Sequence, residues 1–373
     1  MLPRVNILFL LCVLLVLLLI YLLLNTSSQY SVPHPKISYR HLVHSIETDR
    51  LVDFVNSTRP YHLSPESPCN DETMDLLGVI LVSSYVTHDN LRSAHRRAMP
   101  QDKLKSLGLL RFFLLAEIPA HEKLIAQESI EGEHRRFGDI VQGNFIDAYK
   151  NLTYKHIMGL KWASIECFRS SFIVKMDDDT VYDITRLRRM LQGFRFSHEY
   201  DDLFLSGYVQ SNKKPIRMRP SKWFVSHKEF RDALYPTYLS GWLYITNQRT
   251  AFELVSATED TPFFWIDDIY VTGILAKKIS APLERRNTLF SANHDFLECC
   301  IRDAENHKFK CPYLAGPNGG NPELIVRFTS AISGCRECRD RKDSDPKINE
   351  TCVGVYKSHP GHRGAPEVKE LNL

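Results

Sequence analysis

The sequence predicts an α/β domain whose central sheet is mostly parallel and covered on both faces by helices, preceded by a single N-terminal transmembrane helix. Three observations lead there. From residue 76 onward, short apolar runs alternate with helical patterns, the rhythm of consecutive βαβ units. Several of those runs are continuously apolar rather than alternating, as strands buried on both faces are. Residues 7–24 carry no charge over a length close to that needed to cross a bilayer as a helix.

Composition removes two classes. With 43% hydrophobic and 24% charged residues, a chain of 373 can bury a sizeable core, so disorder is not the default. A formal charge of +3 is too mild for a nucleic-acid binder. The basic run "KKPIRMR" at 213–219 reads as a solvated loop, with attraction of an anionic substrate as the second reading.

Arg4 and the α-amine precede the apolar run and the next basic residue is Lys36. The positive-inside rule then gives a cytoplasmic tail at 1–6, a signal anchor at 7–24 and all that follows on the lumenal side. A cleaved signal peptide is the competing reading; the run is longer than a usual h-region and "NTSSQY" offers no clear cleavage site. Residues 25–74, rich in Ser, Pro, His and Thr without an apolar period, read as a stem lacking a core. The globular domain is expected at 75–345 and a tail at 346–373. Sequons at Asn56, Asn151 and Asn349 suit this placement, with Asn56 and Asn349 expected as better sites than the helical Asn151. Cys12 lies in the span, and the other eight cysteines read as disulfides. A zinc site built on Cys335, Cys338, Cys311 and Cys352 is the lesser alternative, and pairing is not readable from spacing.

Element by element, "LLGVILVSS" reads as a strand, a polar helix follows Asp89, and "LLRFFLLA" reads as the next strand. A helix near 121–136 leads into the strand "DIV". A longer helix follows at about 147–168, with Tyr149, Leu152, Leu160, Ala163 and Cys167 on one face, and then the strand "SFIVKM". That strand runs straight into Asp177, Asp178 and Asp179. Ligands collect at the carboxyl ends of such strands, and carboxylates there can take a hard divalent cation through oxygen. An acidic turn or an N-cap for "DITRLRRML" is the bland alternative; an EF-hand fails for want of Gly at the sixth position and Glu at the twelfth.

Several motifs together resemble the β-1,3-glycosyltransferases of family 31, the β-1,3-galactosyl- and N-acetylglucosaminyltransferases. "LRSAHRRAM" keeps Arg92, Ala94 and Arg96 of R-x-A-x-R-x-T-W, with Ala98 and Met99 in place of Thr-Trp. "GDIVQGNFIDAYKNLTYKHIMGLKWASIEC" carries Asp139, Phe145, Asp147, Tyr149, Asn151, Leu152, Thr153, Lys155, Trp162 and Cys167 in register with the family's box before the DDD strand. "KWFVS" and "YPTYLSGWLYI" continue the likeness, and "WIDDIYVTG" resembles E-D-V-[YF]-x-x-G with Asp267 where Glu is usual. The likeness fades after about residue 282.

The resemblance implies a GT-A type nucleotide-sugar-binding fold, a UDP-sugar donor and Mn²⁺ held through the DDD motif, with Asp179 as direct metal ligand. It places Asp177 and Asp178 along the donor site, and Arg92 and Arg96 either on the uridine diphosphate or bracing the loop that contacts it. Asp268 is the expected catalytic base for a single in-line displacement with inversion; an N-cap is the alternative for both Asp267 and Asp268. Trp223, Trp242 and Tyr244 are expected near an acceptor groove, and Tyr149, Leu152 and Trp162 in the core. The implied protein is a single-pass type II Golgi membrane glycosyltransferase that moves galactose from a UDP-sugar to an acceptor glycan, on lipid or protein, in β-1,3 linkage. N-acetylglucosamine is the runner-up donor sugar, and an inactive lumenal sugar-binding or chaperone-like relative is the alternative from a different class.

Overall fold

The computed structural model describes residues 51–57, 60–66, 68–197 and 200–352. Its main sheet has eight strands in the order β1-β4-β3-β2-β5-β8-β7-β9. These are β1 (Tyr61–Leu63), β2 (Gly78–Ser83), β3 (Leu109–Glu117), β4 (Ile140–Ile146), β5 (Phe172–Asp177), β7 (Leu205–Gln210), β8 (Tyr238–Asn247) and β9 (Leu283–Arg285). A short antiparallel ribbon pairs β6 (Thr180–Tyr182) with β10 (Ala315–Pro317). The helices that position the site are α1 (Asp89–Ala98), α2 (Gln101–Ser106), α3 (Gln127–Phe137), α4 (Leu152–Glu166) and α5 (Ile184–Ser197), followed by α6 (Gln248–Ser256), α7 (Asp295–His307) and α8 (Pro322–Gly334).

The strand β2 shows why the apolar runs are continuous. Val79 and Leu81 face a cluster containing Leu160, Trp162 and Ala163 of α4 and Leu254 of α6. Ile80 and Val82 face the opposite cluster, with Leu187 and Leu191 of α5 and Leu104 of α2. Successive side chains point to opposite faces, so a strand covered on both sides needs apolar residues at every position. The helix α4 is itself buried almost all round, from Thr153 to Ala163, which is why a one-faced pattern described it poorly: Leu160, Ala163 and Cys167 are in the core, whereas Tyr149 is 44% exposed.

The main sheet is mixed: four of its seven pairings, β4–β3, β3–β2, β2–β5 and β7–β9, are parallel, and it is antiparallel where β8 meets β5 and β7 and where β1 meets β4. The physical reason is the connection: β7 and β8 are joined by a loop instead of a helical crossover, so β8 returns antiparallel. In addition, among the described residues no helix is long and apolar enough to cross a membrane, and residues 7–24, which carried that expectation, lie outside them. The signal anchor, the type II topology, the Golgi membrane and the membrane as partner thus find no support among the described residues, which form a mixed α/β fold.

The described residues between 51 and 74, expected as the end of a coreless stem, pack onto the domain. Leu51, Phe54 and Val55 join the core cluster under α4, β1 adds an edge strand, and Cys69 is bonded to Cys167. The other disulfides are Cys299–Cys352, Cys300–Cys311 and Cys335–Cys338, so all eight thiols assigned to disulfides are paired and the zinc alternative falls. Of the sequons, Asn56 is exposed. Asn151 donates from its amide to the carbonyl of Ile146, and the Thr153 hydroxyl is buried against the carbonyl of Phe264, the structural part expected of that box.

Candidate active site

The strand β5 lies beside β2 with Asp177 opposite Ser83, so the three carboxylates emerge next to the loop that follows β2. They do not share one environment. Asp178 is buried and its Oδ2 accepts from the Ser84 hydroxyl (2.7 Å) and from His88 Nδ1 (2.9 Å), while its carbonyl accepts from His95 Nε2 at 2.8 Å. Burial works against its charge, but His88 and Ser84 outweigh it and hold the carboxyl below the usual range. Asp179 is exposed; its carbonyl accepts from the Asn318 amide at 2.8 Å, while its carboxylate forms no ion pair among the described residues. Loss of solvent and the charge of Asp178 push its carboxyl upward.

Asp177 turns the other way. Lys175, buried two residues earlier on the same face of β5, donates from Nζ to Asp177 Oδ1 at 2.8 Å and to the Gly241 carbonyl at 3.3 Å. Its ammonium is also 3.7 Å from Asp267. One cation thus bridges the end of β5 to the loop before the π-helical turn Ile269–Leu275. Burial raises Asp177 to about 6 against the pull of Lys175, with the charges of Asp179 and Asp267 adding to the rise.

Asp267 and Asp268, adjacent in sequence, are held differently. Asp267 Oδ2 accepts from His156 Nδ1 at 3.0 Å, and His156 Nε2 lies 2.6 Å from the Tyr244 hydroxyl. Burial keeps this imidazole neutral, so Nδ1–H donates to Asp267 and Nε2 accepts from the tyrosine. Although burial opposes ionisation of Asp267, Lys175 and His156 bring it down to about 2. Asp268 Oδ2 accepts from the Gly241 amide at 2.8 Å. Burial and the Asp267 charge raise Asp268 well above the ordinary carboxylate range. Neither residue is an N-cap through its side chain: no cap hydrogen bond reaches the turn that follows. The helix after the triplet is served by Asp183, which accepts from the Arg186 amide.

By spacing, His156, Asp267 and Asp268 could hold a metal ion, one ligand atom from each lying within 4.8 Å of the others. Their hydrogen bonds argue against it. Both nitrogens of His156 are engaged, and Lys175 already supplies the positive charge. Asp179, and Asp177 although it is shared with Lys175, also offer hard carboxylate oxygens at the strand end.

Arg92 and Arg96 are not turned toward the triplet. Arg92 is fully buried, forked onto Glu133 and bonded to the carbonyls of Tyr85 and Val86 and the Ser84 hydroxyl. Arg96 joins Glu133 to Asp139. They brace the loop after β2, with a cleft of about 1050 Å³ opening beside them between α1 and α3. Of the expected acceptor aromatics, Trp223 is 41% exposed, whereas Tyr244 is fully buried and Trp242 packs on Tyr208. The sequence alone did not single out Lys175, His156 or His88, and it carried Gly241 only as part of "YPTYLSGWLYI". The one available signal was a lysine inside an apolar strand, which stays buried only when paired.

A family model described as Galactosyltransferase matches residues 90–287, more than half of the chain and all the residues from Arg92 to Asp268 discussed above. The chain is similar to beta-1,3-galactosyltransferase 5 of Gorilla gorilla gorilla, 30% identical over 244 residues covering 64% of this chain and 78% of that protein. It is similar to beta-1,3-galactosyltransferase brn of Drosophila melanogaster, 34% identical over 206 residues, 55% and 61% of the two chains. A third similarity is to lactosylceramide 1,3-N-acetyl-beta-D-glucosaminyltransferase of Mus musculus, 27% identical over 270 residues, 68% and 69% of the two.

Proposed function

The chain belongs to the galactosyltransferase family and is an enzyme that transfers a sugar from a nucleotide-sugar donor, and on that premise we propose that it is an inverting β-1,3-hexosyltransferase using UDP-galactose. The observation that carries this reading is the unequal setting of two neighbouring carboxylates. Asp267 is tied to His156 and Lys175 and is held ionised. Asp268 is held by one backbone amide, in surroundings that raise its proton affinity. A carboxylate so placed can take the proton from an acceptor hydroxyl as that oxygen attacks the anomeric carbon, and the single displacement inverts the configuration. Asp267 then orients and electrostatically tunes its neighbour.

Asp179 is assigned as the direct ligand of a divalent cation such as Mn²⁺, with Asp177 beside it on the donor side. The donor set suits such an ion: hard carboxylate oxygens at a strand end, crowded enough to gain from a cation. When bound, the cation would neutralise the departing diphosphate. Asp178 belongs to the supporting shell, since Ser84, His88 and His95 occupy it, and Arg92 and Arg96 act by bracing the loop. Galactose is preferred as donor sugar because two relatives are named for it; the N-acetylglucosaminyltransferase relative supports the runner-up. The test is transfer by the full chain with Mn²⁺, from UDP-galactose, UDP-N-acetylglucosamine and UDP-N-acetylgalactosamine in turn, onto a glycan panel with product linkage read by NMR. A β-1,3-galactosylated product is expected. An α-linked product contradicts inversion, and N-acetylglucosamine transfer alone moves the donor assignment.

A further inference from the structure

The loop at 211–237, between β7 and β8, carries seven Lys and Arg residues against two acidic ones, in a chain whose whole formal charge is +3. It is a folded element. Arg217 donates to the carbonyls of Val225 and Phe230, both at 2.8 Å, and to that of Asp232. The Tyr235 amide bonds to the Lys213 carbonyl, and Phe230 and Tyr235 pack on Phe264. So braced, the loop presents Lys222 and Trp223 to the start of the α4 segment.

There, Lys222 Nζ lies 4.4 Å from the Trp223 ring centroid and 5.5 Å from that of Tyr149. Tyr149 packs on Trp265, and Lys150 Nζ sits 5.6 Å over the Trp265 ring. Tyr149 and Trp223 are each about two-fifths exposed. Neither Lys150 nor Lys222 has a carboxylate partner among the described residues. Trp265 is 5% exposed, and its indole N–H is without a hydrogen-bond partner among the described residues. The Tyr149 hydroxyl feels the charges of Asp267, Asp268 and Asp177, so this surface adjoins the assigned base.

Exposed aromatic faces beside a sugar-transfer centre suit the C–H face of a sugar. Unpaired ammonium groups on the same surface suit an anion. Three carboxylates nearby would repel an anionic acceptor unless cations stood on its approach, which is where Lys150 and Lys222 are. We infer that Tyr149, Trp223, Lys222 and Lys150 form an acceptor subsite for a sugar bearing an anionic group, a uronate carboxylate or a sulfate ester. The inference rests on the sugar-transfer reading of the neighbouring site.

The test is equilibrium binding rather than turnover, so that it fails separately from the assignment of Asp268. The full chain is titrated calorimetrically at low salt with a neutral β-linked disaccharide, its uronic-acid counterpart and its sulfate ester. At least one anionic probe is expected to bind about tenfold tighter than the neutral one, the size of a charge-assisted contact. Whichever probe does so identifies the anion, and the advantage vanishes above about 0.5 M salt. The double substitution Lys150→Ala and Lys222→Ala removes the advantage, while Trp223→Ala weakens all three probes. Equal affinity of the wild-type chain for the three probes overturns the subsite, as does an advantage that survives the double substitution. Absent transfer with intact selective binding counts instead against Asp268.

Discussion

Asp267 and Asp268 are the same amino acid at consecutive positions, yet their surroundings push their proton affinities apart. The shorter range of contacts decides it: an imidazole N–H and a buried ammonium for one, a backbone amide and its neighbour's charge for the other. Gly241 makes the second arrangement sterically available, since a Cβ there would lie 2.4 Å from Asp268 Oδ1. Gly241→Ala is therefore expected to displace a side-chain tip and not the backbone. Turnover should fall about 10²-fold, as for a catalytic group misplaced by an ångström, with thermal stability changed by no more than about 1 kcal/mol. Differential scanning fluorimetry beside the transfer assay checks it; a collapse of stability equal to the loss of turnover would make Gly241 a packing residue only.

At the scale of elements, Arg92 and Arg96 hold the helix α1 to Glu133 of α3 and to Asp139 just before β4. These guanidinium groups are nearly or wholly buried, so removing their shared partner leaves uncompensated charge. Glu133→Ala should cost about 3–5 kcal/mol in chemical denaturation, with the KM for the UDP-sugar unchanged within about twofold. A large rise in KM at unchanged stability would return the two arginines to the donor site. The strands β2, β3, β4 and β5 and the helix α1 were legible because apolar runs and polar patterns declare their own periods. The buried helix α4 was legible in place but not in its faces, since a helix covered on nearly every side has no stripe to read. The sheet's direction at β8 depends on how 211–237 folds, which no local period encodes.

For the whole molecule, acid stability follows from buried histidines. His95, buried behind Asp178, is lowered to about 4, first by burial and then by the Arg111 charge. The unfolded chain, with an ordinary histidine, binds the extra proton between about pH 6.5 and 4, so stability rises with pH there. The contribution, about 3 kcal/mol, is fully present above pH 6.5 and lost as pH falls through 4. Replacing His95 by Gln, which keeps a donor toward the Asp178 carbonyl, should flatten the denaturation midpoint across that window; an unchanged slope would show that other groups set it. The site at this scale was half legible. Asp177 to Asp179 announced themselves as like charges at a strand end, and Asp268 was reached through its motif. Lys175, His156 and His88 come from β5, α4 and the loop after β2, and only the assembled sheet brings them to those carboxylates. The proposed mechanism turns on Asp268, and not Asp267, removing the acceptor proton. The most direct test compares Asp268→Asn with Asp267→Asn for turnover and for UDP affinity. Asp268→Asn is expected to lower turnover by about 10²- to 10⁴-fold with UDP affinity nearly unchanged, and Asp267→Asn to lose less. Near-wild-type turnover in Asp268→Asn, or a larger loss in Asp267→Asn, would contradict that mechanism.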